Sequence, residues 1–352
     1  MGKGAARPHN SRIFNYFSVL VTYVSSRLKE LDPYSQEMKL EPIEDLRKRA
    51  AAGDVDAQTR MGNRYLCGVT VEVDLDEATK WYLLAGKSGS ADGFMSLGLY
   101  YSDPARPRDV TKAMHFYERA AKLGHLEAQL NLGRFYFVGD GVEQDYMKAR
   151  KWIQKAAKQG SAQGYFLMGA LYFDALGVKK DIEKALKYYE LAVAGGYACA
   201  MHNLGCMFYF GQGIEVDVVK ASELFRLGAN LNHPPCLCNL GACYSLGRGV
   251  DLDEVEGLRL YREAAIRGYA VAQSNLAAAF ALGQGCKKDI PLSYAWAKIA
   301  EPASARARKL LEEVLCSLKP SQLTLGEKHI IEIREEMEAV PPPEFPFINE
   351  GT

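Results

Sequence analysis

Apolar and small residues follow a helical rhythm through most of the chain, and the clearest example lies between residues 126 and 160. Over 126–138, Leu130, Leu132, Phe135 and Tyr136, with the small Ala128 and Gly133, give the spacing of a helix with a small-residue seam. A polar stretch, "VGDGVEQD", follows. Asp145 then stands where an N-cap belongs, and Ala149, Trp152, Ile153, Ala156 and Ala157 recur at three- and four-residue steps, predicting a second helix. Gly160 is placed to end it in the left-handed conformation, as are Gly89, Gly124, Gly196 and Gly268, with Asn232 taking the same place once.

The helix pair repeats. Met61–Gly62, Leu97–Gly98, Leu132–Gly133, Met168–Gly169, Leu204–Gly205, Leu240–Gly241 and Leu276–Ala277 recur at steps of 36, 35, 36, 36, 36 and 36 residues. An aromatic residue follows three positions later each time (Tyr65, Tyr101, Tyr136, Tyr172, Phe208, Tyr244, Phe280). The glycine pairs between the helices, such as Gly139–Asp140–Gly141, look at first like phosphate-binding turns. Their repetition and the missing P-loop lysine argue instead for chain reversals that need positive φ.

The stretch Ala128–Gly160 follows the pattern A-x3-L-G-x2-Y-x2-G-x-G-V-x2-D-x3-A-x3-W/Y-x3-A-A-x2-G, and in this it closely resembles the Sel1-like repeat family, relatives of the tetratricopeptide repeats. The resemblance runs over residues 57–300 as seven units, with "LRKRAAAGD" (46–54) resembling half of a preceding one. It implies an all-α, right-handed α-solenoid of about seven helix pairs. Two places depart from the pattern: "SDPARPRD" (102–109) replaces one glycine loop, and "NLNHPPC" (230–236) puts two prolines at a helix start. The expected organisation is an N-terminal arm over 1–40, the repeat array over 41–300, capping helices over 301–340 and a disordered proline-rich tail over 341–352.

Composition narrows the function classes. Forty-three basic residues balance 43 acidic ones, so no broad nucleic-acid footprint is expected. No apolar run is long enough for a stable membrane span. Charge is uneven at the ends. Residues 1–29 carry Lys3, Arg7, Arg12, Arg27 and Lys29 and no acid, whereas three basic residues meet seven glutamates from Lys319 onward. The acid-free start, with the apolar "IFNYFSVLVTYV", makes a mitochondrial presequence the alternative to a cytoplasmic arm. The eight cysteines lack C-x-x-C spacing and replace apolar residues of other repeats, the pattern of reduced structural thiols.

No catalytic constellation emerges from the six histidines, and no cofactor is expected. The family resemblance implies a non-catalytic adaptor that binds a peptide or helix of a partner protein. By analogy with tetratricopeptide arrays, the concave face would present Leu130, Arg134, Phe137, Phe166 and Phe173, then His202, Cys206, Tyr209, Cys238 and Ser245. The alternative reading is a metal- or haem-binding assembly factor using the helical face of Cys199, His202 and Cys206. Phe116 is expected to be core.

Overall fold

The computed structural model describes residues 41–103 and 107–340. The N-terminal arm, the tail over 341–352 and the centre of the 102–109 departure therefore lie outside the described residues. Among those described, the secondary structure is helical throughout, with no strand. The described chain divides between residues 180 and 181 into two compact units.

The first unit holds α1 (Ile43–Ala51), α2 (Val55–Cys67), α3 (Leu75–Lys87), α4 (Asp92–Ser102), α5 (Val110–Lys122), α6 (Leu126–Val138), α7 (Tyr146–Lys158) and α8 (Ala162–Phe173). The second holds α9 (Ile182–Ala194), α10 (Ala198–Phe210), α11 (Val218–Asn230), α12 (Pro234–Leu246), α13 (Glu254–Ile266), α14 (Ala270–Leu282), α15 (Ile290–Ala300), α16 (Ala305–Leu315) and α17 (Pro320–Ala339). Within each unit, helices consecutive in sequence pack on one another as far as α16, and α17 packs on α15. The architecture is an all-α repeat fold of the solenoid kind.

The second helix of every pair starts the same way. Asp74, Asp109, Asp145, Asp181, Asp217, Asp253 and Asp289 each accept a hydrogen bond from a backbone N–H of the first turn. Each such cap stabilises its helix by about 1 kcal/mol. Glutamines secure the reverse junctions: Gln58, Gln129 and Gln273 donate through Nε2 to the carbonyls of Ala50, Ala121 and Ala265 near the ends of the preceding helices. Each is a second, buried donor on a carbonyl that also accepts from the glycine N–H ending the helix, Gly53, Gly124 or Gly268.

In five of the pairs the core sets one large side chain of the second helix against the glycine of the first. Tyr82, Tyr117, Ile153, Phe225 and Tyr261 lie over Gly62, Gly98, Gly133, Gly205 and Gly241. In the Phe116–Tyr117 pair the buried member is Tyr117; Phe116 is half-exposed and stacks on Tyr101 with ring centroids 5.8 Å apart. The expectation that Phe116 is core is therefore corrected. One helical step of 100° turns it to the margin, while Tyr117 faces Gly98.

The inter-helix loops rest on the preceding pair. A Cβ on Gly249 would fall on the Val218 carbonyl, and one on Gly285 on the Glu254 carbonyl, while Ser222 Oγ donates to the Gly249 carbonyl at 3.0 Å. The second loop glycine thus serves both positive φ and close backbone approach. At the C-terminal end, α16 and α17 pack on α15, and Ala307, Leu311, Val314, Ile330 and Ile333 bury their side chains there.

Candidate functional site

The first helices of the second unit, α10, α12 and α14, share one composite face. On α10, His202, Cys206 and Tyr209 follow one another at steps of four and three, so they lie on one stripe. All three are half-buried, as is Ser245 on α12, while Cys238 is fully buried. His202 Nε2 lies 3.6 Å from Cys206 Sγ, and the Arg248 guanidinium stacks 4.2 Å above the Tyr209 ring.

A row of primary amides runs across this face. Asn203, Asn239 and Asn275 occupy the position just before the leucine of the repeat, at steps of 36 residues, and all are half-buried. Asn239 Nδ2 donates to Cys206 Sγ of the preceding pair at 3.5 Å. Asn275 Nδ2 donates to Cys238 Sγ at 3.5 Å, and its Oδ1 accepts from Arg306 Nη1 at 2.9 Å. Asn203 Oδ1 lies 3.2 Å from His202 Nδ1, so each amide of the row is oriented by a side-chain partner. The sequence reading took the residue two before the leucine and passed over the asparagines one before it. Their recurrence at the repeat step was the signal available.

In the first unit, Leu130, Arg134 and Phe137 lie along α6, and Phe166 and Phe173 lie on α8. Leu130, Phe137 and Phe166 are buried, Arg134 is 9% exposed, and Phe173 is half-buried with Lys180 over its ring at 5.6 Å. The aromatics expected on an open wall thus contribute largely from behind it.

The cysteine–histidine stripe resolves into two pairings. Cys199 Sγ lies 3.6 Å from His233 Nε2, and His233 Nδ1 lies 3.3 Å from Cys236 Sγ. Cys206 pairs with His202 instead. Cys199, His202 and Cys206 therefore do not converge on one point. No group of three His, Cys, Asp or Glu among the described residues is arranged to share a metal ion.

Burial sets the protonation of this region. It pushes the Cys199 and Cys238 thiols up to about 12 and holds Cys236 well above the usual thiol range. Burial, reinforced by the neighbouring His202, takes His233 down to about 3. The imidazole is therefore neutral, one nitrogen donating and the other accepting between the two thiols. None of the eight cysteines is in a disulfide. No described helix is long and apolar enough to cross a membrane.

Seven consecutive matches to the Sel1 repeat cover residues 55–90, 95–125, 126–161, 162–197, 200–233, 234–269 and 270–300. A solved Sel1 repeat protein from Oxalobacter formigenes superposes with a TM-score of 0.69 at 27% identity, over 89% of this chain and 98% of that one. The structure of c5321, described as a protective antigen of uropathogenic Escherichia coli with an SLR fold, superposes at 0.50 with 24% identity, over 84% of this chain and 72% of that one, and it supports the fold alone. A putative sel1-like repeat-containing protein of Acanthamoeba polyphaga mimivirus, L21, is 27% identical over 125 residues, 34% of this chain. The chain spans less than a quarter of the length of the curated relatives it matches.

Proposed function

Since the chain belongs to the Sel1 repeat family, whose members are generally protein-interaction scaffolds, we propose that it is a non-catalytic adaptor holding an extended segment of a partner protein on the first-helix face. The observation that carries this is the amide row of Asn203, Asn239 and Asn275. A primary amide offers a donor and an acceptor side by side, which matches the N–H and C=O of an extended backbone. Amides repeated on successive helices suit a segment running across the stack. His202, Cys206 and Tyr209 share the helix of Asn203 and would supply thiol and aromatic contacts, while Ser245 faces Gly257 on α13.

The chemistry of the buried groups supports a role without catalysis. A thiol pushed up to about 12 carries almost no thiolate near neutrality, which removes Cys199 and Cys238 as nucleophiles. His233 is enclosed between two thiols and cannot exchange protons with a substrate. Cysteines outside disulfides suit a reducing compartment, and the cytoplasm is part of the proposal.

The test is affinity capture with quantitative mass spectrometry on the full chain. Asn239→Ala and Tyr209→Ala should remove the proteins that the wild type captures, and Glu223→Ala, an exposed change on α11, should keep them. Equal capture by all four proteins would overturn this reading.

A further inference from the structure

In α10 alone, cysteine stands two residues after the repeat leucine and histidine two residues before it. The neighbouring first helices have Ala170 and Phe166 there in α8, and Ala242 and Cys238 in α12. The repeat therefore does not require a thiol and an imidazole at these places. Four residues apart on one helix, Cys206 and His202 share a face.

Four side chains make a chain of contacts. His202 Nδ1 lies 3.2 Å from Asn203 Oδ1. An amide oxygen only accepts, so Nδ1 carries the proton, and Nε2 of the neutral imidazole presents its lone pair. That nitrogen lies 3.6 Å from Cys206 Sγ. From α12, Asn239 Nδ2 donates to the same sulfur at 3.5 Å. An oriented imidazole thus faces the thiol, and an amide donor is directed at the charge that develops on sulfur as it reacts. All four residues are half-buried, which leaves the thiol within reach of a small solute. Cys199 and Cys236 also face an imidazole, but they and His233 are buried.

We infer that Cys206 is a modification site, a nucleophile with His202 as its general base, which forms a mixed disulfide with a low-molecular-weight disulfide. Asn203 is a positioning residue that fixes the imidazole tautomer. His202 Nε2 takes the Sγ proton as the sulfur attacks. The new S–S bond forms while that of the small disulfide breaks, and the departing thiolate takes the proton from His202 Nε2. One thiol and one disulfide become a mixed disulfide and a thiol, so no further oxidant is consumed. The thiols nearby do not undo it. Burial pushes Cys199 up to about 12 and Cys243 up to about 11, and holds Cys236 well above the usual thiol range. They hold too little thiolate near neutrality to displace the attached group. The inference goes beyond the adaptor reading and needs no partner protein.

The test exposes the full chain at pH 7 to excess bis(2-hydroxyethyl) disulfide, a neutral probe, and follows each cysteine by peptide mass spectrometry. The exposed Cys316 is the internal reference. Cys206 should be modified at least about tenfold faster than Cys316 although it is the less accessible thiol. In urea that advantage should vanish. His202→Gln should bring Cys206 down to the Cys316 rate or below it and leave the Cys316 rate unchanged. Asn203→Ala should slow Cys206 alone, and Asn203→Gln should restore part of the rate. Should a variant fail to fold, the native and urea rates of the wild type still decide. Modification of Cys206 no faster than that of Cys316 in the native protein would overturn the inference. So would an advantage that survives in urea, or one unchanged in folded His202→Gln.

Discussion

The ring of Tyr117 occupies the place where a side chain on Gly98 would begin: a Cβ there would stand 2.5 Å from Tyr117 Cδ1. The same relation joins Gly205 to Phe225. In the seventh pair the corresponding second-helix residue is Ala297, and the glycine has become Ala277. Gly98→Ala is therefore expected to destabilise the protein, because overpacking at about 1–3 kcal/mol outweighs the helix-propensity gain of about 1 kcal/mol. Ala277→Gly should also destabilise, by about 1 kcal/mol, through propensity alone. Urea denaturation of the two variants checks both signs.

Two loop positions separate conformational strain from collision. Gly160 has φ +84° and open space where a Cβ would stand, so Gly160→Ala should cost about 1 kcal/mol. Gly249→Ala adds a collision with the Val218 carbonyl and should cost clearly more. Thermal melts in which Gly160→Ala is the more damaging would contradict this account.

The helix pairs were legible in the sequence because a 36-residue step repeats every structural requirement: the small seam, the loop glycines, the left-handed stop. The capping Asp145 was read, and the structure extends the same cap to all seven second helices. What the pattern did not carry was direction around each helix axis. Trp81–Tyr82 and Phe116–Tyr117 are adjacent pairs of similar residues, and only packing decides that Tyr82 and Tyr117 go inward. Gly139 shows the same limit: it has φ +76°, and its Cβ position lies 3.1 Å from the Gln144 backbone nitrogen. An alanine there meets both strain and contact. The candidate face was read as an aromatic wall, and the half-buried amides came into view only with side-chain placement.

Acid should weaken the second unit through His233. Its pKa is about 3 when folded, against about 6.5 when unfolded, so the unfolded chain binds the extra proton between these values. Stability is full above pH 6.5 and falls as pH drops toward about 3. The groups around the ring are Cys199, Cys236 and His202. His233→Asn should flatten the fall in melting temperature between pH 7 and pH 4.5. An unchanged acid slope would remove His233 as its source.

The acid-free residues 1–29 bear on compartment. Fused to a fluorescent reporter, they should leave it diffuse in the cytoplasm and uncleaved. Delivery to mitochondria with cleavage would identify a presequence and shift the proposed site of action.

The adaptor reading is tested most directly by hydrogen–deuterium exchange of the full chain with and without a captured partner. The account predicts added protection along Ala198–Phe210, Pro234–Leu246 and Ala270–Leu282, strongest around Asn203, Asn239 and Asn275, with Val218–Asn230 and Glu254–Ile266 unchanged. Protection confined to those second helices, with the three first helices exchanging as in the unbound chain, would contradict it.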